Sequence, residues 1–296
     1  MSTIAKSAAI PTVKEPLLNR IAFPEFLRRG NLQLWLGVVI VGFIVLCAIC
    51  APLLTRYSPT DQDMTAVLLE PGSAGHVLGT DNLGRDVLSR LLYGARTDLS
   101  VTLIAAIIPF VAGSLIGALC GYFGKWFDVI VMRLADIVTA FPFYVLVIAL
   151  VFAIGNGTKS IYIAISAVSW VAYARIVRGE AMVVRRKEFI DACVSSGLPT
   201  WMIILRHVLP NTLSQSVVYV MSDIVMNVNV IVTLSFFGLG IVPPTPDWGQ
   251  MMSDGQQFIL SGSSWLTLIP GLTVVLFSLG LSFLGDGLSN IIKARS

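Results

Sequence analysis

Few residues in this sequence combine the type and spacing that catalysis or metal binding requires. The stretch Gly121-Tyr-Phe-Gly-Lys125 could suggest a phosphate loop, but a Walker sequence has four residues between its glycines and a Ser or Thr after the lysine. Trp126 stands at that position here. The two histidines, His76 and His207, fall in segments predicted below to lie on opposite sides of a membrane, and no Gly-x-Ser-x-Gly sequence occurs. We therefore expect no nucleotide site, no metal site and no catalysis by this chain alone.

Cys47 and Cys50 form a Cys-x-x-Cys pair, a spacing that redox and metal sites use in other contexts. Here both residues lie inside an apolar run, where cysteine behaves as a small hydrophobic residue. Packing is therefore the preferred interpretation of this pair.

One carboxylate is a candidate for solute transfer. Asp223 lies 13 positions after Pro210, or about 20 Å along a helix, inside an apolar stretch. A carboxylate in the middle of a bilayer is costly and usually faces a cavity or a partner. Asn227 follows one turn later and Ser222 is adjacent, so these three residues are the candidate lining of a translocation path. The alternative is that the span begins later, which leaves Asp223 near the cytoplasmic interface or paired with a second subunit.

The composition indicates a membrane protein, since 55% of the 296 residues are hydrophobic and only 12% are charged, against about a quarter charged in soluble domains. A helical span needs about 20 apolar residues, and the gaps between charges provide six candidates. Pro109, Pro142 and Pro270 interrupt the second, third and sixth candidates as kinks or helix ends. The predicted spans are Trp35–Leu54, Leu99–Gly124, Ile137–Thr158, Ser160–Ala174, Asn211–Gly238 and a sixth inside Gly255–Gly285.

Charged and small residues suggest how these spans pack. The fourth span is short unless Arg175 and Arg178 snorkel toward the headgroups. Arg133 and Asp136, three positions apart, are predicted to pair with each other. The second span carries glycines at four-residue spacing, which predict a close contact with another helix. These glycines are Gly113, Gly117 and Gly121.

The distribution of basic residues predicts that both termini are cytoplasmic. With the N-terminus inside, 14 of the 20 Lys and Arg residues fall on the cytoplasmic side and five on the other. We expect an uncleaved first span rather than a signal peptide, and a net charge of +3 does not suggest nucleic-acid binding. The predicted divisions are a cytoplasmic tail 1–31, a first helix 32–54, an outside loop 55–98 with an amphipathic helix, a core 99–290 that includes a cytoplasmic loop 179–210, and a tail 291–296.

The segment between the fourth and fifth spans is predicted to form two short helices with a break between them. Gly197-Leu-Pro199 interrupts the chain, Thr200 is placed to cap the second helix, and Pro210 ends it. Exposed apolar residues flanked by charges favour a docking surface, and the alternative is a solvated amphipathic connector. The apolar face of the first helix comprises Phe189, Ile190, Cys193 and Val194.

Two segments on the predicted outer side carry structural signals. Asp81 is placed to cap a short helix, on which Asp86 and Arg90 form an i,i+4 pair. Structural capping and direct solute contact are both open for this segment. After the fifth span, the prolines of Pro243-Pro-Thr-Pro246 require a turn, and Trp248 suits a position at the membrane interface. The apolar side of the short helix comprises Val87, Leu88 and Leu91.

Four segments resemble signatures of the ABC importer permeases. Asp191 to Pro210 is similar to the E-A-A-x-x-x-G…I-x-L-P loop, with Asp for Glu, Cys for the second Ala and His207 at the Ile position. Arg206 to Asn211 is similar in particular to the peptide/opine/nickel branch. In the family this loop is the coupling helix, which sits in a groove of the ATPase subunit. The coupling-loop residues that the resemblance implies are Glu188, Asp191, Ala192, Cys193, Gly197, Arg206, His207, Leu209 and Pro210.

Three further matches are to the C-type permeases of that branch. Gly79 to Arg90 is similar to G-T-D-x-x-G-R-D-x-x-S-R, Pro243 to Met251 to P-P-x-P-x-W-G-x-M, and Gly285 to Leu288 to G-D-G-L. The tail departs from the family, since Ser289-Asn-Ile-Ile-Lys replaces the usual Arg and Asp-Pro. The matching outside residues are Gly79, Thr80, Asp81, Gly84, Arg85, Asp86, Ser89, Arg90, Pro246, Trp248 and Gly249.

The resemblance implies an all-α integral membrane protein with six transmembrane helices in the type I ABC importer permease fold. It further implies an inner-membrane heterodimer with a second homologous permease, two ATPase subunits that hold ATP and Mg²⁺, and an extracytoplasmic solute-binding protein. ATP binding would close the ATPases and swing the spans outward in an alternating-access cycle. This chain would bind no cofactor and would not be an enzyme.

The solute is open among di- and oligopeptides, nickel chelates, opines and glutathione. Two other classes of protein fit less well. An ion-coupled secondary transporter acting through Asp223 would need repeat symmetry or further buried ionisable residues, and a membrane enzyme would need a catalytic cluster.

Overall fold

The computed structural model describes residues 29–73 and 75–293, and this part of the chain is built from helices. Of the predicted tails, 1–28 and 294–296 lie outside the described residues, whereas 29–31 and 291–293 are helical and belong to α1 and α11. The helices are α1 (Arg29–Ile49), α2 (Ala51–Leu54), α3 (Val87–Phe123), α4 (Lys125–Thr139), α5 (Phe143–Ile154), α6 (Thr158–Val184), α7 (Glu188–Ser195), α8 (Thr200–Met202), α9 (Leu209–Phe236), α10 (Trp248–Gln256) and α11 (Trp265–Lys293), with a π-helical segment Ile203–Val208 between α8 and α9.

Five of these helical stretches are long and apolar enough to cross a membrane, and α4 with α5 forms a bent pair that makes a sixth. The prediction of six spans is confirmed, but the third span is broken. Its two helices meet at 90°, because Pro142 lacks an N–H and stands at the N-cap of α5. Pro109 and Pro270, in contrast, lie inside α3 and α11 and do not end them.

Helix α3 is much longer than the predicted second span. Its 37 residues begin at Val87 rather than Leu99 and extend about 56 Å, well beyond the roughly 30 Å of a hydrocarbon core. Asp86 caps the helix by accepting a hydrogen bond from the backbone N–H of Ser89 at 2.7 Å. The separate amphipathic helix predicted within 55–98 is therefore wrong, since its residues form the first turns of α3.

Helices α3 and α6 pack in parallel along the predicted glycine face. A Cβ on Gly113 would lie 2.7 Å from the Cβ of Tyr173, and one on Gly121 would lie 2.6 Å from the Cβ of Ala181. Gly117, between them, faces the backbone of Ala174. Without side chains at these three positions the two backbones approach closely, which confirms the predicted contact.

Helix α6 is 27 residues long, so the predicted span Ser160–Ala174 is only its first part. Arg175 and Arg178 both pair with carboxylates of α4. Arg178 binds the buried Asp128 through two guanidinium nitrogens. Arg175 donates to Asp136 at 2.8 Å, and the predicted contact between Arg133 and Asp136 is present but longer, at 3.7 Å.

Helices α1 and α11 run antiparallel at the edge of the bundle. Gly37 of α1 faces the backbone of Leu284, and Gly287 of α11 faces Leu34. Residues 29 and 293 therefore lie at the same end, which also carries residues 185–199. We name this the loop end. The opposite end, covered by residues 55–86 and α10, is named the capped end.

Gly117→Leu is expected to lower the free energy of unfolding by about 1–3 kcal/mol, because the added side chain overpacks the contact with Ala174. Thermal unfolding of the purified protein in detergent measures the change. Gly179→Ala is the matched control, since a Cβ on this helical glycine meets no atom within 4 Å and alanine favours the helix. Equal unfolding temperatures for both variants would contradict the role of the glycine contact.

Candidate functional site

Helix α7 at the loop end is fixed to the bundle by one side of its apolar surface. Ile190 is 2% exposed and packs in a cluster with residues of α6 and of the π-helical segment. Cys193 is partly buried against the same cluster, whereas Phe189 and Val194 are 40% and 54% exposed. The predicted apolar face is thus divided into an anchoring side and an exposed side. The buried cluster comprises Ala181, Val184, Ile190, Ile203 and Val208.

The break after α7 is a Schellman motif. The N–H of Gly197 donates to the carbonyl of Val194 at 3.0 Å, and the N–H of Leu198 donates to the carbonyl of Cys193 at 3.2 Å. Gly197 has φ of +73°, a left-handed conformation that glycine adopts without steric cost. Leu198 packs against the buried cluster under α7, so the break has a defined geometry.

The second short helix predicted in this loop is the beginning of the fifth span. Pro199, not Thr200, occupies the N-cap, and helical structure then continues to Phe236. Pro210 does not end the helix, because a wider π-helical turn precedes it and accommodates a residue that lacks an N–H. The other predicted coupling residues lie on α7 or in this continuous stretch. Glu188, Asp191, Ala192 and Arg206 are exposed, and His207 and Leu209 are half-buried.

Asp223 lies in the interface between α6 and α9. It is 2% exposed, and its Oδ2 accepts hydrogen bonds from the hydroxyl of Tyr173 and the side-chain amide of Asn227, both at 2.9 Å. Asn227 is also buried, whereas Ser222 is exposed. The three predicted path residues therefore occupy two faces of α9. Tyr173 was missed because nothing in the sequence of α6 marks it as the partner of a residue 50 positions away.

The capped end is held by two arginines that share two carboxylates. Asp81 Oδ2 accepts from Arg85 Nε at 2.7 Å and also from Arg90 Nη1. Asp254 of α10 accepts from the Nη2 atoms of both arginines at 3.1 Å. The predicted pair of Asp86 and Arg90 is wrong, since Asp86 caps α3 and contacts His76 Nδ1 at 2.9 Å. Asp81 also caps no helix, and accepts instead from the backbone N–H groups at positions 83 and 85.

The other outside-motif residues support the same cap. Gly84 has φ of +70° and lies against the backbone of Asp63, where a side chain would collide. Gly79 likewise has a positive φ. Thr80 and Ser89 form hydrogen bonds with the backbone of residues 55–86 through their hydroxyl groups. Every residue of this motif thus has a structural contact inside the cap.

Trp248 is fully buried, which contradicts its predicted position at the membrane interface. Its indole N–H donates to the carbonyl of Leu91 at 3.1 Å, and its backbone N–H donates to Asp98 at 2.9 Å. Asp247 caps α10 by accepting from the N–H at position 250, and burial raises the pKa of Asp247. Gly249 approaches α9 closely, since a Cβ at this position would lie 2.7 Å from the Cβ of Ser235. The predicted turn before Trp248 is present, between Phe236 and α10.

No group of three or more His, Cys, Asp or Glu side chains within 29–73 and 75–293 is arranged to hold a metal ion. In the same part of the chain all four cysteines, including Cys47 and Cys50, are free thiols. The structure therefore has two distinct surfaces, α7 at the loop end and the cap at the capped end, and continuous helices connect them.

Comparisons with known proteins define the class. Residues 113–295 match the family described as binding-protein-dependent transport system inner membrane component, and residues 33–71 match the N-terminal TM domain of oligopeptide transport permease C. The solved methionine ABC transporter MetNI, in an inward-facing conformation, has a chain with a TM-score of 0.53 and 18% identity, covering 70% of this chain and 96% of that one.

Curated relatives agree with this assignment. The dipeptide transport system permease protein DppC of Alkalihalophilus pseudofirmus is 37% identical over 276 residues, covering 93% of this chain and 90% of the relative. The glutathione transport system permease protein GsiD of Pectobacterium atrosepticum is 32% identical, with 98% and 97% covered. The oligopeptide transport system permease protein OppC of Haemophilus influenzae is 36% identical, with 88% and 83% covered.

The chain belongs to the family of binding-protein-dependent transport system inner membrane components. It is a multi-pass permease subunit of an ABC importer, in the peptide-permease branch, with the type I importer fold. A permease of this kind works with ATPase subunits and a solute-binding protein, and the permease itself is not an enzyme. The predicted family and fold are thereby confirmed.

Asp81→Asn is expected to destabilise the capped end by about 3–5 kcal/mol, because it leaves part of the charge of Arg85 and Arg90 buried without its partner. Thermal unfolding of the purified protein measures the loss. The matched control is Asp61→Asn, a change of the same kind at an exposed position in the same segment. An Asp81 variant that unfolds with the control would show that the arginines do not depend on this carboxylate.

Proposed function

We propose that this chain is one of two homologous permease subunits, forming a heterodimer that carries di- or oligopeptides across the inner membrane, with ATPase subunits bound at the loop end. ATPase docking at the loop end is supported by the geometry of α7, whose buried side is fixed by Ile190 and whose other side is exposed. A docking surface needs both a rigid base and an accessible apolar face. The peptide substrate is supported by the names of the dipeptide and oligopeptide relatives.

The loop end is proposed to be cytoplasmic, together with both chain termini. Basic residues are concentrated there, as the positive-inside rule requires. ATP and Mg²⁺ are proposed to bind the two partner ATPase subunits, with no cofactor on this chain. The basic residues near the loop end include Lys125, Arg175, Arg178, Arg185, Arg186 and Lys187.

A movement of the ATPases would displace α7, and α7 contacts both α6 and the stretch that continues into α9. The cluster under Ile190 contains Ala181 and Val184 of α6 as well as Ile203 and Val208, which continue into α9. Closely packed side chains resist relative displacement. We therefore propose that closure of the ATPases moves α6 and α9 together, and that this movement changes which side of the membrane the path faces.

The path itself is proposed to border α9. Ser222 is exposed in a span, and Gln215 and Asn229 lie seven residues before and after it, two helical turns away on the same face. Polar groups inside a bilayer are expected to face a cavity or a partner rather than lipid. Asp223 and Asn227 would stand behind this polar stripe, where their hydrogen bonds with Tyr173 set the orientation of α9.

The transported solute is proposed to be a peptide, with glutathione, a nickel chelate or an opine as the related candidates. A glutathione permease is among the relatives. Measuring dipeptide and glutathione uptake side by side would therefore distinguish the two leading candidate solutes. Ion-coupled secondary transport through Asp223 has no support from the relatives, which are ABC permeases.

Val194→Asp is expected to reduce co-purification of the ATPase subunits, because it places a charge on the exposed apolar side of α7. The ATP-driven uptake of a labelled dipeptide into proteoliposomes should fall in parallel. Leu260→Asp, at a fully exposed leucine of the capped end, is the matched control and should retain the ATPases. Retention of the ATPases by the Val194 variant would contradict docking at α7.

Ser222→Phe is expected to lower uptake of labelled dipeptide several-fold with unchanged thermal stability, since the larger side chain would project from the polar stripe into the path. Leu272→Phe, at an exposed position on α11, should leave uptake near the wild-type rate.

Asp223→Asn keeps an oxygen for Tyr173 and should retain more stability than Asp223→Leu. Unchanged uptake and stability in the Asp223→Leu variant would refute the proposed role of this carboxylate.

A further inference from the structure

A cavity of about 580 Å³ lies at the loop end, beside the turn that joins α3 to α4. This volume is within the range of small-molecule sites, about 300–1,000 Å³. The cavity contains the Gly124-Lys125 turn of the stretch that lacks the Walker spacing. The residues that line it are Leu119, Tyr122, Phe123, Gly124, Lys125, Trp126, Phe127 and Arg185.

The charged lining of the cavity is entirely basic. Lys125 and Arg185 are both exposed, and no carboxylate in the described part of the chain forms an ion pair with either. Arg185 is instead held over the ring of Tyr122, with its guanidinium carbon 5.5 Å from the ring centre. Asp128 and Asp191 line the adjacent cavity, which shares Arg185 and also contains Arg186, but neither carboxylate lines this one. Asp128 binds Arg178, and Asp191 forms no ion pair with Arg185 in the described part of the chain. The site is therefore complementary to an anion.

The apolar lining lies deeper in the membrane than the charges. The uncharged run of α3 ends at Gly124, so Lys125 falls where a 26-residue apolar stretch meets the headgroups, from position 99 to 124. Leu119 lies six residues back along α3, about 9 Å toward the bilayer centre. Trp126 is 71% exposed, as is typical of a tryptophan at the membrane interface.

We propose that this cavity binds an anionic phospholipid, with its phosphate between Lys125 and Arg185 and an acyl chain along Leu119 and Phe123. Basic pockets between transmembrane helices suit acidic headgroups. The apolar walls and the depth favour a lipid over a free nucleotide. Lys125 is the first residue of α4, which begins the broken third span, so the bound lipid would contact the bent helix pair.

The test uses the complete importer complex in detergent, incubated with phosphatidylglycerol that carries a photoactivatable diazirine in its acyl chain. After irradiation, peptide mass spectrometry should find the adduct on residues 119–127. Unlabelled phosphatidylglycerol should compete for the site, and phosphatidylethanolamine should not. Labelling with equal competition by both lipids would indicate ordinary surrounding lipid and would overturn the proposal.

Lys125→Gln and Arg185→Gln should each reduce the adduct about fivefold, the effect expected for one basic residue near a lipid surface. Lys125→Arg should keep the adduct. Lys187→Gln is the matched control, because Lys187 is an exposed basic residue of the same end that does not line the cavity. Unchanged labelling in the Lys125 and Arg185 variants would refute the site.

A second variant keeps the test independent of these charges. Leu119→Trp should fill the apolar part of the cavity and reduce the adduct while both cations remain. A photoactivatable amino acid placed at position 126 of the same complex should label lipid. Its cross-linking to an ATPase subunit would show that a protein covers this surface and would also overturn the proposal.

Discussion

The close parallel contact between α3 and α6 determines the position of the other elements described here. In a bilayer the apolar side chains of two helices gain little by leaving lipid, so association depends on how closely the backbones approach. Gly113, Gly117 and Gly121 permit that approach. The residues of α6 that face or follow these glycines then make contacts with three further elements.

Those contacts follow one another along α6. Tyr173, opposite Gly113, donates to Asp223 of α9. Arg178, opposite Gly121, binds Asp128 of α4. Ala181, one turn later, packs under Ile190 of α7. A single helix therefore contacts the buried carboxylate, the broken span and α7, and a change in its position would reach all three.

The sequence predicted the number of spans well, because charge is scarce in this chain and each gap between charges is long. It predicted the ends of helices poorly where a helix extends past the apolar run into charged residues. Arg175 and Arg178 were assigned to a membrane boundary, although carboxylates of α4 allow α6 to continue through them. Residues 87–98 contain three charges, yet they belong to α3 because the cap and α10 surround them with partners. Such partners lie far away in the sequence.

The site was predictable in its motifs and less so in its contacts. Gly197 was identified from spacing, and its left-handed backbone gives the physical reason for that glycine. Trp248 was predicted at the membrane interface because tryptophans are common there. In the structure it is fully buried, since Gly249 beside it lets α10 pack closely against α9. Arg90 was assigned to Asp86, four positions before it, whereas its partners are Asp81 and Asp254. The sequence offers no sign that Asp254, more than 160 positions away, is one of them.

The two longest helical stretches, Val87–Phe123 and Thr200–Phe236, each have 37 residues and extend beyond the bilayer at opposite ends. Each is about 56 Å long against about 30 Å of hydrocarbon. A partner at either surface would therefore contact the end of a continuous helical stretch rather than a flexible connector. Because the glycine contact holds α3 against α6, a tilt of α3 at one surface would displace its other end without any loop having to transmit the movement.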